Sequence, residues 1–269
     1  MTYQFVLTDK KDKVGYVILN RPEKRNALTK AFVAEIIDAI KAMDADKGVR
    51  VIVIKGNGKT FSAGADLSPD ETKGFAAIDT PYAYKRFAKV WSDAAQTIRS
   101  VSKPTILQVQ GHCLAGATDL FLHCDFIIAA EDAQFGCPDV KGMESVITHM
   151  WTYLVGPQWA KYVLLTGDNI DGKTAERIGL VFKAVPLERL EEEVNRLSQR
   201  MALIPIDFLE PNKSLINKVL DNMGYLAAQR LALETSTFTH MAPGVRDFYE
   251  IAAEKGFKAA LAWRTETFG

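Results

Sequence analysis

Two β-rich segments, Tyr3 to Thr8 and Val14 to Leu19, open the chain on either side of the charged run DKKDK, a pattern that predicts a hairpin. After the loop Asn20-Arg21-Pro22, Val33, Ile36, Ile37 and Ile40 fall at i, i+3, i+4 and i+7, one apolar stripe of a helix with Thr29 as its N-cap. Val51 to Ile54 is a short β-branched run suited to a buried strand, and the turn sequence GNGK follows it. Phe61 to Leu67 leads into the polar stretch SPDETKGFAAIDTP, which reads as a mobile surface loop. Phe87, Val90, Trp91, Ala94, Ile98 and Val101 then mark a long amphipathic helix that Pro104 ends. Thr105 to Val109 and Phe126 to Ala129 read as further buried strands with the short segment 111–124 between them, which implies a right-handed βαβ crossover. From about residue 144 strand signals fade. Leu187, Leu190, Val194, Leu197 and Met201 lie on one helical face, and helical patterns over 206–221, 223–240 and 244–262 make the last third nearly all α.

Composition narrows the function classes. Of 269 residues, 48% are hydrophobic and 25% charged, ordinary globular values that set aside disorder and collagen-like chains. Thirty-three basic residues balance 33 acidic ones, so no overall basic field attracts nucleic acid. The three cysteines, Cys113, Cys124 and Cys137, lack CxxC spacing, which suits reduced thiols and offers no zinc site. No apolar run approaches about 18 residues, the length of a membrane span. A soluble cytoplasmic protein without a membrane partner is expected.

The candidate chemistry lies in two small-residue loops, each just after a predicted strand. They are Ser62-Ala63-Gly64-Ala65-Asp66 and Leu114-Ala115-Gly116-Ala117. Where side chains are absent a ligand can approach the main chain, and amides at a helix start suit an oxyanion. Small residues at such turns also serve close packing alone. Asp119 follows Gly116 by about one helical turn and can face the same pocket; Asp139 follows the turn FGCP. Two carboxylates beside a carbonyl cradle fit proton removal next to a thioester or addition of water to a conjugated double bond. A capping role for Asp119 and a solvated loop position for Asp139 stand beside that reading.

The collinear segments NRPEKRNAL (20–28), FSAGADL (61–67), KPTILQVQGHCLAGATDL (103–120), CDFIIAAEDAQFGCPD (124–139) and LLTGDNIDGKTAERIGLV (164–181) resemble the enoyl-CoA hydratase/isomerase, or crotonase, superfamily. The resemblance implies an α/β fold, a spiral of ββα repeats over 1–200 followed by a C-terminal helical oligomerisation region over 201–269. It also implies a homotrimer or hexamer acting on an acyl-CoA thioester. Coenzyme A would arrive as part of the substrate, with no separate cofactor. By the same resemblance the amides of Ala65 and Gly116 form the oxyanion hole. Lys24, Arg25, Asn26, Ala27 and Leu28 touch the CoA nucleotide, Ala63 and Ala65 line its adenine and pantetheine side, and Lys258 is a candidate to reach a neighbour's CoA.

The family's hydratases use two glutamates, which match Asp119 and Asp139 here. A side chain one methylene shorter moves each carboxylate by about 1 Å, a displacement that costs roughly a hundredfold unless the backbone compensates. The family's Gly-rich run after the second acid is replaced by VKGMESVITHMW (140–151), about three residues shorter. Glu144 and His149 in that run are candidate replacement acid and base, with a surface glutamate and a packed histidine as the ordinary alternatives. His112 reads as a strand-end histidine. Phe75, Ile78, Tyr82, Phe87 and Trp91 are candidates to line an apolar acyl pocket. The expected activity is that of a hydratase-type lyase. Double-bond isomerisation, hydrolysis or dehalogenation, and a weakly catalytic acyl-CoA binding protein are the alternatives.

Overall fold

The computed structural model describes residues 3–268, the side chains of Pro69, Thr72, Lys73 and Ala76 excepted. β1 (Val6–Lys11) and β2 (Val14–Leu19) make the expected hairpin, antiparallel from Val6 opposite Leu19 to Lys11 opposite Val14. The charged run is not all turn. β1 begins three residues later than expected and extends through Lys11, and only Asp12 and Lys13, at φ 49° and 67°, reverse the chain. β1 is an edge strand exposed from Leu7 to Lys11, so charged side chains there cost nothing and discourage stray pairing.

α1 (Lys30–Ala45) begins where expected, with Thr29 Oγ1 accepting from Phe32 N at 3.1 Å, and buries Val33, Ile36 and Ile40. β3 (Val51–Gly56) follows, fully buried over Val51–Ile54. Next come α2 (Pro69–Ala76), α3 (Pro81–Ser100), β4 (Thr105–Val109), β5 (His112–Leu114), α4 (Gly116–Phe121), β6 (Phe126–Ala130) and β7 (Gln134–Gly136). The chain continues through α5 (Trp151–Thr166), β8 (Ile170–Asp171), α6 (Gly172–Ile178), β9 (Lys183–Val185), α7 (Leu190–Ala202), α8 (Ile206–Asn222), α9 (Tyr225–His240), α10 (Pro243–Lys255) and α11 (Phe257–Phe268).

The strands form two sheets. The larger has the order β1-β2-β3-β4-β6-β9, parallel from β2 onward; the smaller has the order β5-β7-β8. Successive turns of the chain contribute one segment to each: β4 is followed by β5, β6 by β7, and β3 by a stretch whose Ser62 bridges Cys113. Helices carry the chain back, which is the expected ββα spiral.

Four sequence expectations need correction. The stretch SPDETKGFAAIDTP is not a loop throughout, because α2 occupies its first half and buries Phe75 against Phe87 at a centroid distance of 4.6 Å. Packing supplies what the polar, glycine-containing pattern lacks. Strands do not end near residue 144, since β8 and β9 extend both sheets; at two and three residues they are too short to show a period. α5 was unrecognised: Gly156, at φ 72°, and Pro157 interrupt its pattern. The single helix expected over 244–262 is two, α10 and α11, separated at Gly256 with φ 86°. α7 packs against β2, β3, β4 and β6 of the large sheet. The terminal residues 1, 2 and 269 of the expected two regions lie outside the described residues.

Candidate functional site

The loop after β3 and the turn after β5 lie side by side. Leu28 N donates to Gly64 O at 2.8 Å and Asp66 N donates to Leu28 O at 2.9 Å, so Ala65 between them turns its own N–H away from that bridge. Opposite, Gly116 opens α4, where a helix-start N–H has no intrahelical acceptor. Among the described residues neither amide donates a hydrogen bond. A Cβ on Gly116 would lie 3.6 Å from Ala65 N. With ordinary backbone dimensions the two nitrogens are therefore no more than about 6 Å apart, close to the limit of about 5.8 Å that one oxygen accepting at about 2.9 Å from each can span.

Two local features produce this approach. Gly64, at φ 93°, sits so close to the second loop that a Cβ would come within 2.7 Å of Leu114 O and 2.8 Å of Ala115 Cβ. Only glycine fits. Ala115 adopts φ 54°, ψ −129°, a strained conformation for a residue with a side chain. It is held there by its N–H on Gly136 O at 2.9 Å and by Thr118, whose N–H and Oγ1 donate to Ala115 O at 2.8 and 2.7 Å. Trp91 Cζ3 closes the far side, 3.2 Å from where a Gly116 Cβ would be.

One turn into α4, Asp119 is buried, and Thr148 clasps it. Thr148 N donates to Asp119 Oδ1 at 3.2 Å, and its Oγ1 donates to Asp119 O at 2.7 Å. Burial first, then the charge of Asp139, pushes the Asp119 carboxyl up to about 8. Asp139 is raised to about 6 by burial, opposed by its own backbone N–H and by Arg264 of α11. Its Oδ1 is sealed from solvent without a hydrogen-bond partner among the described residues. Asp139 O accepts from Met143 N and Glu144 N, each at 2.9 Å, so the run 140–147 is pinned at Asp139 and at Asp119. Burial thus holds both carboxyls above the range of exposed acids.

The segment expected to touch a nucleotide is laced to the amide loop. Asn26 is fully buried; its Nδ2 donates to Asn57 O, Thr60 O and Phe61 O at 3.0 Å each, and its Oδ1 accepts from Arg21 N at 2.8 Å. Ser62 Oγ donates to Asn26 O and Ala63 N to Arg25 O. Arg21 pairs with Asp66 and also donates to Ala27 O at 3.0 Å. The side chains of Asn26 and Leu28 are thus spent on packing, while Lys24 and Arg25 are exposed beside the half-buried Ala63 and Ala65. Lys258 is exposed on α11.

Of the remaining candidates, Phe75 and Trp91 are buried, Phe87 and Ile78 half-buried, and Tyr82 is 74% exposed. His149 Nε2 shares a 2.6 Å hydrogen bond with Thr152 Oγ1, and its main chain is bracketed by Gln229, the arrangement of a packed histidine. His112 is exposed. Sequence reasoning missed Thr148, Tyr249 and Arg264. Thr148 holds Asp119 from the run before α5, and the charge of Arg264 acts on Asp139 from α11; no local pattern marks such a partner.

The family model described as enoyl-CoA hydratase/isomerase matches residues 9–255. The chain is 36% identical to the crotonyl-CoA hydratase of Syntrophomonas wolfei, over 75% of this chain and 76% of that protein. It is 34% identical to the mitochondrial enoyl-CoA hydratase of Pongo abelii, over 74% and 68% respectively. An enoyl-CoA hydratase/isomerase crystal structure from Xanthobacter autotrophicus Py2 superposes with TM-score 0.94 at 33% identity, covering the whole of both chains.

Proposed function

The chain belongs to the enoyl-CoA hydratase/isomerase family, and on that premise we propose that it is a hydratase-type lyase, adding or removing water at the double bond of an enoyl-CoA thioester. The observation that carries this is the approach of two amides that donate no hydrogen bond among the described residues, Ala65 and Gly116, the second of them on the same short helix start as Asp119, whose carboxyl, like that of Asp139, burial holds above its ordinary range. The amides accept the negative charge that develops on the thioester oxygen as water attacks the conjugated carbon, and fixed donors in a water-poor site stabilise that enolate without reorganisation. Asp119 and Asp139 take the proton from water and return one to the α carbon. No separate cofactor enters the scheme; CoA comes with the substrate and runs past Lys24, Arg25 and Ala27 toward Ala63 and Ala65.

The helical region over 201–269 serves oligomerisation in this reading. α8 exposes Phe208, Leu215, Ile216 and Val219, an apolar face suited to a homotrimer or a hexamer. Three buried free cysteines and balanced charge fit the cytoplasm, away from nucleic acid, and no described helix is long and apolar enough to cross a membrane.

Incubation with enoyl-, dienoyl- and aryl-CoA thioesters, followed by mass spectrometry, tests the reaction. Gain of one water by an enoyl-CoA, lost in Asp119→Asn, is expected. Isomerised product without water gain assigns the chain to the isomerases instead, and tight acyl-CoA binding without turnover makes it a binding protein.

A further inference from the structure

An amide stabilises an oxyanion only if it is aimed at it, and the residues on either side of Ala65 are both fastened to Leu28. Leu28 N donates to Gly64 O at 2.8 Å, and Asp66 N donates to Leu28 O at 2.9 Å. Leu28 in turn follows two non-glycine residues in the left-handed region, Arg25 at φ 52° and Asn26 at φ 50°. Such conformations persist where surrounding contacts over-determine them.

One side chain spans this bridge from both ends. Arg21 Nη1 donates to Ala27 O, beside Leu28, at 3.0 Å, and the same nitrogen pairs with Asp66 Oδ2, beside Ala65. The other carboxylate oxygen, Asp66 Oδ1, accepts from Ser68 N at 2.8 Å as the chain turns toward α2. The Arg21 guanidinium also lies over the Phe5 ring, 5.6 Å from its centroid. Both partners are withdrawn from solvent, their side chains 16% and 6% exposed. Burial acts to raise the Asp66 carboxyl, but the hydrogen bonds from Arg21 and Ser68 outweigh it and hold the group below its ordinary range.

A buried ion pair adds little net stability, because apolar side chains of similar volume often do as well. What it supplies is geometry, since a planar guanidinium holds its acceptors in fixed directions. We infer that the ion pair of Arg21 and Asp66 is a positioning device for the oxyanion hole, clipping the 20–28 segment to the loop after β3 so that the Ala65 N–H points at the thioester oxygen. In this role neither side chain touches the reacting atoms; both act through the Ala65 main chain. The inference rests on the acyl-CoA reading above and adds two residues to its machinery. A misplacement of about 1 Å can cost about a hundredfold, and the loss falls mainly on the transition state, where that oxygen carries the most charge.

The test exchanges the pair for apolar side chains, Arg21→Met together with Asp66→Leu, in the full chain. No buried charge is stranded, so the double variant is expected to melt above either single variant. Its kcat for enoyl-CoA hydration should fall about tenfold to a hundredfold while KM changes less than about threefold. Arg21→Lys, which keeps the charge but not the planar fork, should lie between. Butyryl-CoA labelled with ¹³C at its carbonyl reads the same geometry without turnover. Its carbonyl stretch should lie lower in the wild-type complex than in solution, and the exchange should remove at least half of that shift. A lowered melting temperature with kcat and carbonyl shift unchanged makes the pair structural only, and a raised KM with kcat unchanged ties it to CoA binding; either overturns the inference. Where the double variant fails to fold, Arg21→Lys carries both readouts, and wild-type values for both overturn it equally. A carbonyl shift that depends on Arg21 in a protein that hydrates no enoyl-CoA keeps the clip and removes the lyase reading. Hydration with a shift indifferent to the pair does the reverse.

Discussion

Burial holds the Asp119 and Asp139 carboxyls above the range of exposed acids, so between about pH 6 and about pH 8 the pair keeps a single proton. kcat/KM for hydration is therefore expected to be bell-shaped, falling below about 6 as the pair takes a second proton and above about 8 as it loses the last. The same shift has a stability consequence. Folded-state values above the unfolded ones mean that these groups favour folding at low pH, and that contribution is lost as pH rises from near 4 through about 8. Asp119→Asn should thus raise the melting temperature most above pH 8 and little near pH 4, while lowering kcat by about 10²- to 10⁴-fold. A profile lacking either limb, or an Asn variant least stable at high pH, contradicts the assignment. Gly64 gives a second test at this scale. Gly64→Ala at φ 93° should cost on the order of 1–3 kcal/mol and force the two loops apart. Its kcat should fall by about a hundredfold, with a smaller change in KM. The small residues made the amides legible in the sequence. Thr148 and Arg264 were not, because a clasp made by one hydroxyl or one guanidinium from a distant element leaves no periodic trace.

Among the elements, β2, β3, β4 and β6, the Thr29-capped α1, and α3 were readable from runs of apolar or periodic positions. α8 and α9 also fall where the spacing places them. What escaped was short, broken or held by distant packing. β5, β7, β8 and β9 have two or three residues each, Gly156 splits α5, and α2 exists because Phe75 finds Phe87 and Tyr249. α10 and α11 depend on the same kind of contact. Phe248 is fully buried with its ring against Tyr249, Phe257 and Trp263, in a core separate from the main one. Phe248→Ala should cost about 3–5 kcal/mol. Hydrogen exchange should show the loss concentrated in α2, α10 and α11, with β2, β3 and β4 still protected. Uniform loss of protection would mean that the two cores are one cooperative unit.

In the whole molecule the spiral core fixes the amides and the helices of the last third enclose the acids, with Arg264 of α11 facing Asp139. The superfamily was legible from collinear segments because their order mirrors the successive turns of the spiral; the packing of α10 and α11 on α2 was not, because it joins residues far apart in the chain. α8 exposes several apolar side chains beside a cavity of about 490 Å³ lined by Phe208, Leu209, Ile216 and Leu220. Sedimentation equilibrium should give three or six chain masses, and Ile216→Glu should lower that number. A wild-type monomer at micromolar concentration would remove the oligomerisation role.

The claim on which the mechanism turns is that Ala65 N and Gly116 N share one thioester oxygen. Infrared difference spectra of enoyl-CoA carrying ¹³C at the thioester carbon, bound to Asp119→Asn so that no turnover occurs, read that oxygen directly. A carbonyl stretch shifted to lower frequency than in solution, with the shift reduced when Gly64→Ala is added, is the predicted result. A bound carbonyl at its solution frequency, or a shift indifferent to Gly64, would contradict it.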